Sequence, residues 1–231
     1  GMKQDQTEAS FYDQGLKPAD AILIASDLPS MALTSLDLSS NRLCTEGHGT
    51  YEPSGIQALA SALGNKVLTH LNLFNNNIGP EGAKALADAL KSDMAVLTSL
   101  NLEMNYIGFE GAKALAASLA VNRVLNKLVL SYNYSLRDEG AIALGEALKS
   151  NKTLKELELR DCFIGAEGGK ALAAALGIAV LKNLNVSHNL QIKGEAAQQL
   201  SAAALGSASL EVLSKVPIKE IREDKHTELR L

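Results

Sequence analysis

The segment LTHLNLFNNNIGPEGAKALADAL, residues 68–90, returns in closely similar form as LTSLNLEMNYIGFEGAKALAASL, residues 97–119. The pattern starts again at Leu125, Leu154 and Leu181, and a longer version starts at Leu33, so successive starts lie 35, 29, 28, 29 and 27 residues apart. A fixed period in this range marks a protein built of stacked repeats. In L-x-x-L-x-L the last four residues alternate, as in a strand with one buried face. Further on, Gly82–Leu90 is rich in alanine with its leucines four apart, the spacing of an amphipathic helix. Pro80 and Glu81 suit its start, because a first-turn proline loses no hydrogen bond and a carboxylate favours the helix dipole. Gly82, Gly111, Gly140 and Gly168 recur in the helix and are read as places where helix and strand approach closely.

A strand–turn–helix unit of this size cannot bury its apolar face alone, so neighbouring units must supply the missing half of the core. The expected fold is an α/β solenoid, a horseshoe arc with parallel strands on the concave face and helices on the convex face. Strands stack about 4.8 Å apart and helices about 8–10 Å apart, which makes the helical side the longer arc. Upstream, Leu16, Pro18, Ile24 and Leu28 stand 62 residues before Ile78, Pro80, Leu86 and Leu90, and Phe11 stands in the place of Leu73. One solenoid domain is therefore expected: a degenerate N-terminal repeat or cap over 1–32, six repeats over 33–209 and a C-terminal cap over 210–231. The mixed-charge stretch KEIREDKHTELRL, residues 219–231, is expected to cover the open end of the core.

The remaining composition agrees with this reading. The 231 residues carry 26 acidic and 22 basic side chains, a net charge of −4, which argues against a general nucleic-acid binder. No apolar run is long enough to cross a membrane as a helix. Gly1 ahead of Met2 reads as a remnant of tag removal, and the polar stretch from Lys3 to Ser10 lacks the apolar core of a secretory signal. The expected location is cytoplasmic, and the glycosylation-like triplets at Asn133, Asn151 and Asn185 are read as chance.

The motif L-x-x-L-x-L-x-x-N-x-I-G-x-E-G resembles the leucine-rich repeat, specifically its ribonuclease-inhibitor-like class, over roughly residues 6–218. That family includes ribonuclease inhibitors, the Ran GTPase-activating protein, the sensor tails of NOD-like receptors and bacterial effectors. The resemblance implies a non-enzymatic scaffold that binds a protein partner. Its alternatives are a regulator of a small GTPase, or a bacterial effector delivered into a host cell and acting on host proteins. Ribonuclease inhibitors proper are rich in cysteine at the ninth repeat position, and this chain is not.

Few residues invite a chemical reading. Asn41, Asn76, Asn105, Asn133 and Asn189 share the ninth repeat position, with Cys162 in the same place, and are assigned to satisfying backbone groups where the chain leaves each strand. Cys44 and Cys162 fall about four strand spacings apart, roughly 19 Å, beyond the reach of a disulfide. The four histidines are dispersed, Asp161 and His188 are expected as a cross-strand polar pair, and no catalytic, cofactor-binding or metal-binding residue is assigned.

Positions three, five, seven and eight of each repeat should face out from the concave side. Most are small and polar. Phe74, Met104, Val129 and Tyr132 stand out on three consecutive strands, with Arg160 and His188 extending the patch. Aromatic, Met and Arg side chains are the types enriched in protein interfaces, so this patch is the expected partner-binding surface of a monomeric chain. A second expected contact is the insertion between Leu43 and Gly55, through His48 and Tyr51.

Overall fold

Alternating leucines followed by alanine-rich helix are realised along the chain as a repeated strand–helix unit. The computed structural model describes residues 5–46, 49–65, 67–92, 95–214 and 216–217. The strand–helix units are β1 (Glu8–Ser10) with α1 (Pro18–Asp27), β2 (Ser35–Asp37) with α2 (Ser54–Ala62), and β5 (His70–Asn72) with α3 (Gly79–Leu90). They continue with β6 (Ser99–Asn101) and α4 (Gly108–Val121), β7 (Lys127–Val129) and α5 (Arg137–Ser150), β8 (Glu156–Glu158) and α6 (Ala166–Leu176), and β9 (Asn183–Asn185) and α7 (Glu195–Gly206). Two short strands, β3 (Thr45–Glu46) and β4 (Thr50–Tyr51), form a separate antiparallel hairpin inside the insertion. The last described elements are β10 (Val212–Leu213) and β11 (Val216–Pro217).

The main sheet runs β1-β2-β5-β6-β7-β8-β9-β10-β11 and is parallel up to β10; β11 turns back antiparallel. Its register is set by one residue per strand: Leu36, Leu71, Leu100, Leu128, Leu157 and Leu184 stand opposite one another and are all buried. Because strand side chains alternate, a slip by one residue would turn this whole column out to solvent. The segment before Leu33 carries both a strand and a helix of its own, and β1 pairs with β2 in the common register. Residues 219–231 and His48 lie outside the described residues.

At the ends of the strands the asparagines form a buried ladder. The Asn133 amide oxygen accepts the N–H groups of Asn105 (3.1 Å) and Ile107 (2.9 Å), while its Nδ2 donates to the carbonyls of Leu102 (3.0 Å) and Leu130 (2.8 Å). Asn105 and Asn189 do the same between their own repeats, and Cys162 donates its thiol to the Leu130 carbonyl at 3.2 Å. A second ladder follows the helices. Asn122 and Asn151 accept the N–H groups of Leu125 and Leu154 at 2.7 Å each and donate back to the carbonyls of Leu90 and Leu119. The triplet asparagines Asn133, Asn151 and Asn185 are thus all buried.

The recurring glycines have a different neighbour from the one expected. A Cβ on Gly111 would lie 2.9 Å from the Ala83 Cβ of the preceding helix and 2.8 Å from Ile107 Cγ2. Gly140 and Gly168 meet Ala112 and Ala141 in the same way, so the close approach is helix to helix across repeats, not helix to strand. Alanine and glycine set the helix spacing, and that spacing sets the curvature of the strand face.

Candidate protein-binding surface

The concave face is a set of rows that cross the sheet. Register places Asn101, Val129 and Glu158 side by side in one row. The next row is carried by the strand exits, where Met104 N–H bonds the Ser131 carbonyl (3.1 Å) and Tyr132 N–H bonds the Arg160 carbonyl (2.8 Å). Phe74, Tyr132 and Arg160 are half-buried, and Met104 and His188 are exposed. Val129 departs from expectation: only 9% of it is exposed, because it lies between taller neighbours in the floor of the face. It supports the surface and offers almost no contact area.

Position eight has a backbone property that the spacing alone does not reveal. Ser40, Asn75, Met104, Tyr132, Asp161 and His188 all sit at φ between 54° and 63°, in the left-handed region. Asn, Asp and His reach this region with less penalty than other side chains, whereas an unbranched or aromatic chain pays about 1 kcal/mol there. Position ten repeats the effect, with Asn77 at φ 57° but Tyr106 and Phe163 both at 55°. Folding would be served better by Asn at all of these sites. The strain is concentrated where bulky side chains stand on the strand-exit edge.

Those side chains are joined. Arg160 lies over the Tyr132 ring at 5.2 Å, Tyr132 meets Tyr134 edge-on at 6.4 Å, and Tyr134 meets Phe163 at 5.2 Å. Arg160 Nε is buried and has no hydrogen-bond partner. Tyr134 is 41% exposed and Phe163 58%, so this ridge continues from the concave face onto the edge, and Tyr106, 67% exposed, stands at position ten two repeats before Phe163. Tyr106 and Phe163 are not among the residues that the repeat singles out, because position ten lies beyond the strand and outside the outward positions three, five, seven and eight. The signal was present in the contrast between an aromatic at 106 and 163 and Asn77 in the preceding repeat.

The charged groups are partly matched. Lys127 pairs with Glu156 at 2.7 Å across β7 and β8, and the Asn185 amide donates to Glu158 at 2.6 Å. The expected Asp161–His188 pair does not form among the described residues; these two cross-strand contacts lie a few residues back along the strands. The Glu103 carboxyl is raised above the usual carboxylate range, first by burial and then by the charge of Glu158, with Arg160 acting in the opposite direction.

The insertion is used for structure. The Tyr51 hydroxyl donates to the Ile78 carbonyl at 2.6 Å and accepts the Gly82 N–H at 3.3 Å, and its ring packs on Gly79. It thereby satisfies a free amide in the first turn of α3. Asp138 accepts the equivalent N–H of Gly168, at 2.8 Å, in the first turn of α6. Tyr51 thus clamps the hairpin onto α3 while 39% of it stays exposed. Among the described residues no group of three or more His, Cys, Asp or Glu could hold a metal ion, and no helix is long and apolar enough to cross a membrane.

With the repeats, their register and their asparagine ladder in place, the family comparison is decisive. The Leucine Rich repeat family matches residues 64–87, 94–116, 121–145 and 150–173, and a second Leucine Rich Repeat family matches residues 32–59. The chain is a leucine-rich repeat protein. No curated protein gives a significant match to this leucine-rich repeat sequence. Among solved structures it is similar to leiomodin-1 actin-binding site 2, at 23% identity and TM-score 0.48 over 65% of this chain and 80% of that one. It is also similar to the tropomodulin C-terminal domain of Caenorhabditis elegans, at 15% identity and TM-score 0.53 over 62% of this chain and 89% of that one. At that identity the tropomodulin likeness concerns the fold alone.

Proposed function

We propose that this leucine-rich repeat protein is a non-catalytic scaffold that engages a protein partner through its concave face, centred on Phe74, Met104, Tyr132 and Arg160. The observation that carries the reading is the placing of Met104 and Tyr132 at left-handed positions where an asparagine, as at Asn75, would fold at less cost. A rigid curved surface loses little conformational entropy on binding, and the half-buried Arg160 guanidinium is a source of N–H donors for a partner's oxygen. Val129 supports this patch from below, and His188 stands at its rim. Helices of 9 to 14 residues in the repeats favour the ribonuclease-inhibitor-like class. An intracellular setting is supported by two free buried cysteines and by glycosylation-like triplets whose asparagines are buried.

The test is the triple substitution Phe74→Ala, Tyr132→Ala and Arg160→Ala, compared with the unaltered chain in affinity capture followed by mass spectrometry. Far-ultraviolet circular dichroism establishes that the variant is folded. A prey protein held by the native chain and lost by the folded variant is the expected result. An unchanged prey set would remove the concave patch as the binding surface.

A further inference from the structure

The net charge of −4 is not spread evenly over the molecule. On the outward rows from β2 to β9 stand the carboxylates of Asp37, Glu103, Glu156, Glu158 and Asp161, against the cations of Lys127 and Arg160. Both cations are already engaged, Lys127 with Glu156 and Arg160 on the Tyr132 ring. The concave rows therefore carry a net charge of −3, five carboxylates against two cations, out of −4 for the whole chain. Beside it runs the exposed ridge of Tyr132, Tyr134 and Phe163, and Asp161 stands between Arg160 and Phe163 in the chain.

These two features select the same chemistry. Aromatic faces attract cations, and a carboxylate near the ring strengthens that attraction. An acidic segment laid on the same surface would set carboxylate against carboxylate, and a neutral one would desolvate Glu103 and Glu158 with only the Arg160 charge and the Asn185 amide to offset it, which is a cost. We infer that the ridge Tyr132–Tyr134–Phe163 and the carboxylates of Glu103, Glu158 and Asp161 receive a basic segment of a partner protein, its Lys and Arg side chains lying over the rings and against the carboxylates. This rests on the concave-face reading above and narrows it to one kind of partner.

The experiment uses random peptides displayed on phage and selected against the full chain. Enriched peptides are then titrated as free synthetic peptides against the native chain and against folded variants. The variants are Glu103→Gln with Glu158→Gln, Tyr134→Ala with Phe163→Ala, and Glu146→Gln, an exposed control on the convex helix α5. The expected result is enrichment of Lys- and Arg-bearing peptides that lose at least about tenfold in affinity with each double variant, keep it with Glu146→Gln, and weaken as salt rises. Basic peptides indifferent to both double variants overturn the inference, and so does a failure to enrich any sequence. Enriched neutral or acidic peptides that are lost with the Phe74, Tyr132 and Arg160 triple variant overturn it while leaving the concave-face reading in place. Peptides indifferent to that triple variant overturn both. Self-association in sedimentation that Tyr134→Ala with Phe163→Ala abolishes also overturns it, because the occupant is then a second copy of the chain.

Discussion

At the residue scale, the same backbone shape recurs at position eight of every repeat while the side chain varies. Phe74, Tyr132 and Arg160 were legible as surface residues by counting from each repeat's first leucine. The burial of Val129 was not, because its exposure depends on the height of its neighbours on β6 and β8. Nor was the strain at Met104, since φ is decided by how the chain leaves the sheet and not by the local residue type. Replacing Met104 with Asn should therefore raise stability by about 0.5–1 kcal/mol, since Asn occupies the same conformation at position 75. Urea unfolding would show it as a higher midpoint with an unchanged slope, and capture of the native partner should weaken in the same variant. A midpoint that stays put would mean that Met104 recovers its strain through packing.

At the element scale, neighbouring helices touch through alanine and glycine, so the spacing between repeats depends on single methyl groups. Gly111→Ala should cost about 1–3 kcal/mol, because its new methyl meets Ala83 and Ile107 inside contact distance and the helices must part. Gly177→Ala is the contrasting case. It ends α6 with φ −65°, and its added methyl meets nothing within 4 Å, so stability should stay level or rise by about 0.4–1 kcal/mol. Thermal unfolding followed by circular dichroism separates the two. Similar losses for both would refute the packing argument. The strand–helix alternation itself was plain in the sequence, as was the start of α3 at Pro80. The partner of Gly111 was not, because periodicity identifies a buried face without saying which neighbour lies against it.

At the scale of the whole molecule, stability is a sum of repeat-to-repeat contacts, and the ends have fewer of them. Cys44 lies in the β2 repeat and Cys162 in the β8 repeat, each with one further strand–helix unit between it and an end of the array, and both are fully buried. An aromatic disulfide reagent should label Cys44 faster than Cys162 under native conditions, because α2 packs less extensively on α3 than any other pair of neighbouring repeat helices, so the β2 repeat opens more readily. Equal rates would point to all-or-none opening. Burial also holds both thiols protonated, raising them from 9.0 to about 12. The unfolded chain releases these protons first, so stability should fall as pH climbs from about 9 toward about 12. Cys44→Ala with Cys162→Asn, the ladder residue of the other repeats, should make that fall shallower in urea titrations. An equal fall would assign it to other groups.

The repeat, its helices and strands, the buried leucine column and the asparagine ladder were determined by the sequence alone. Each is a local pattern copied at a constant spacing, and stacking identical units leaves one way to bury their faces. Tertiary structure decided which outward side chains are reachable, which are strained, and that Tyr51 clamps a helix while Tyr134 and Phe163 form a ridge with Tyr132. Those properties belong to contacts between repeats about 27 to 32 residues apart, and a periodic pattern records the position of a residue without recording what stands beside it.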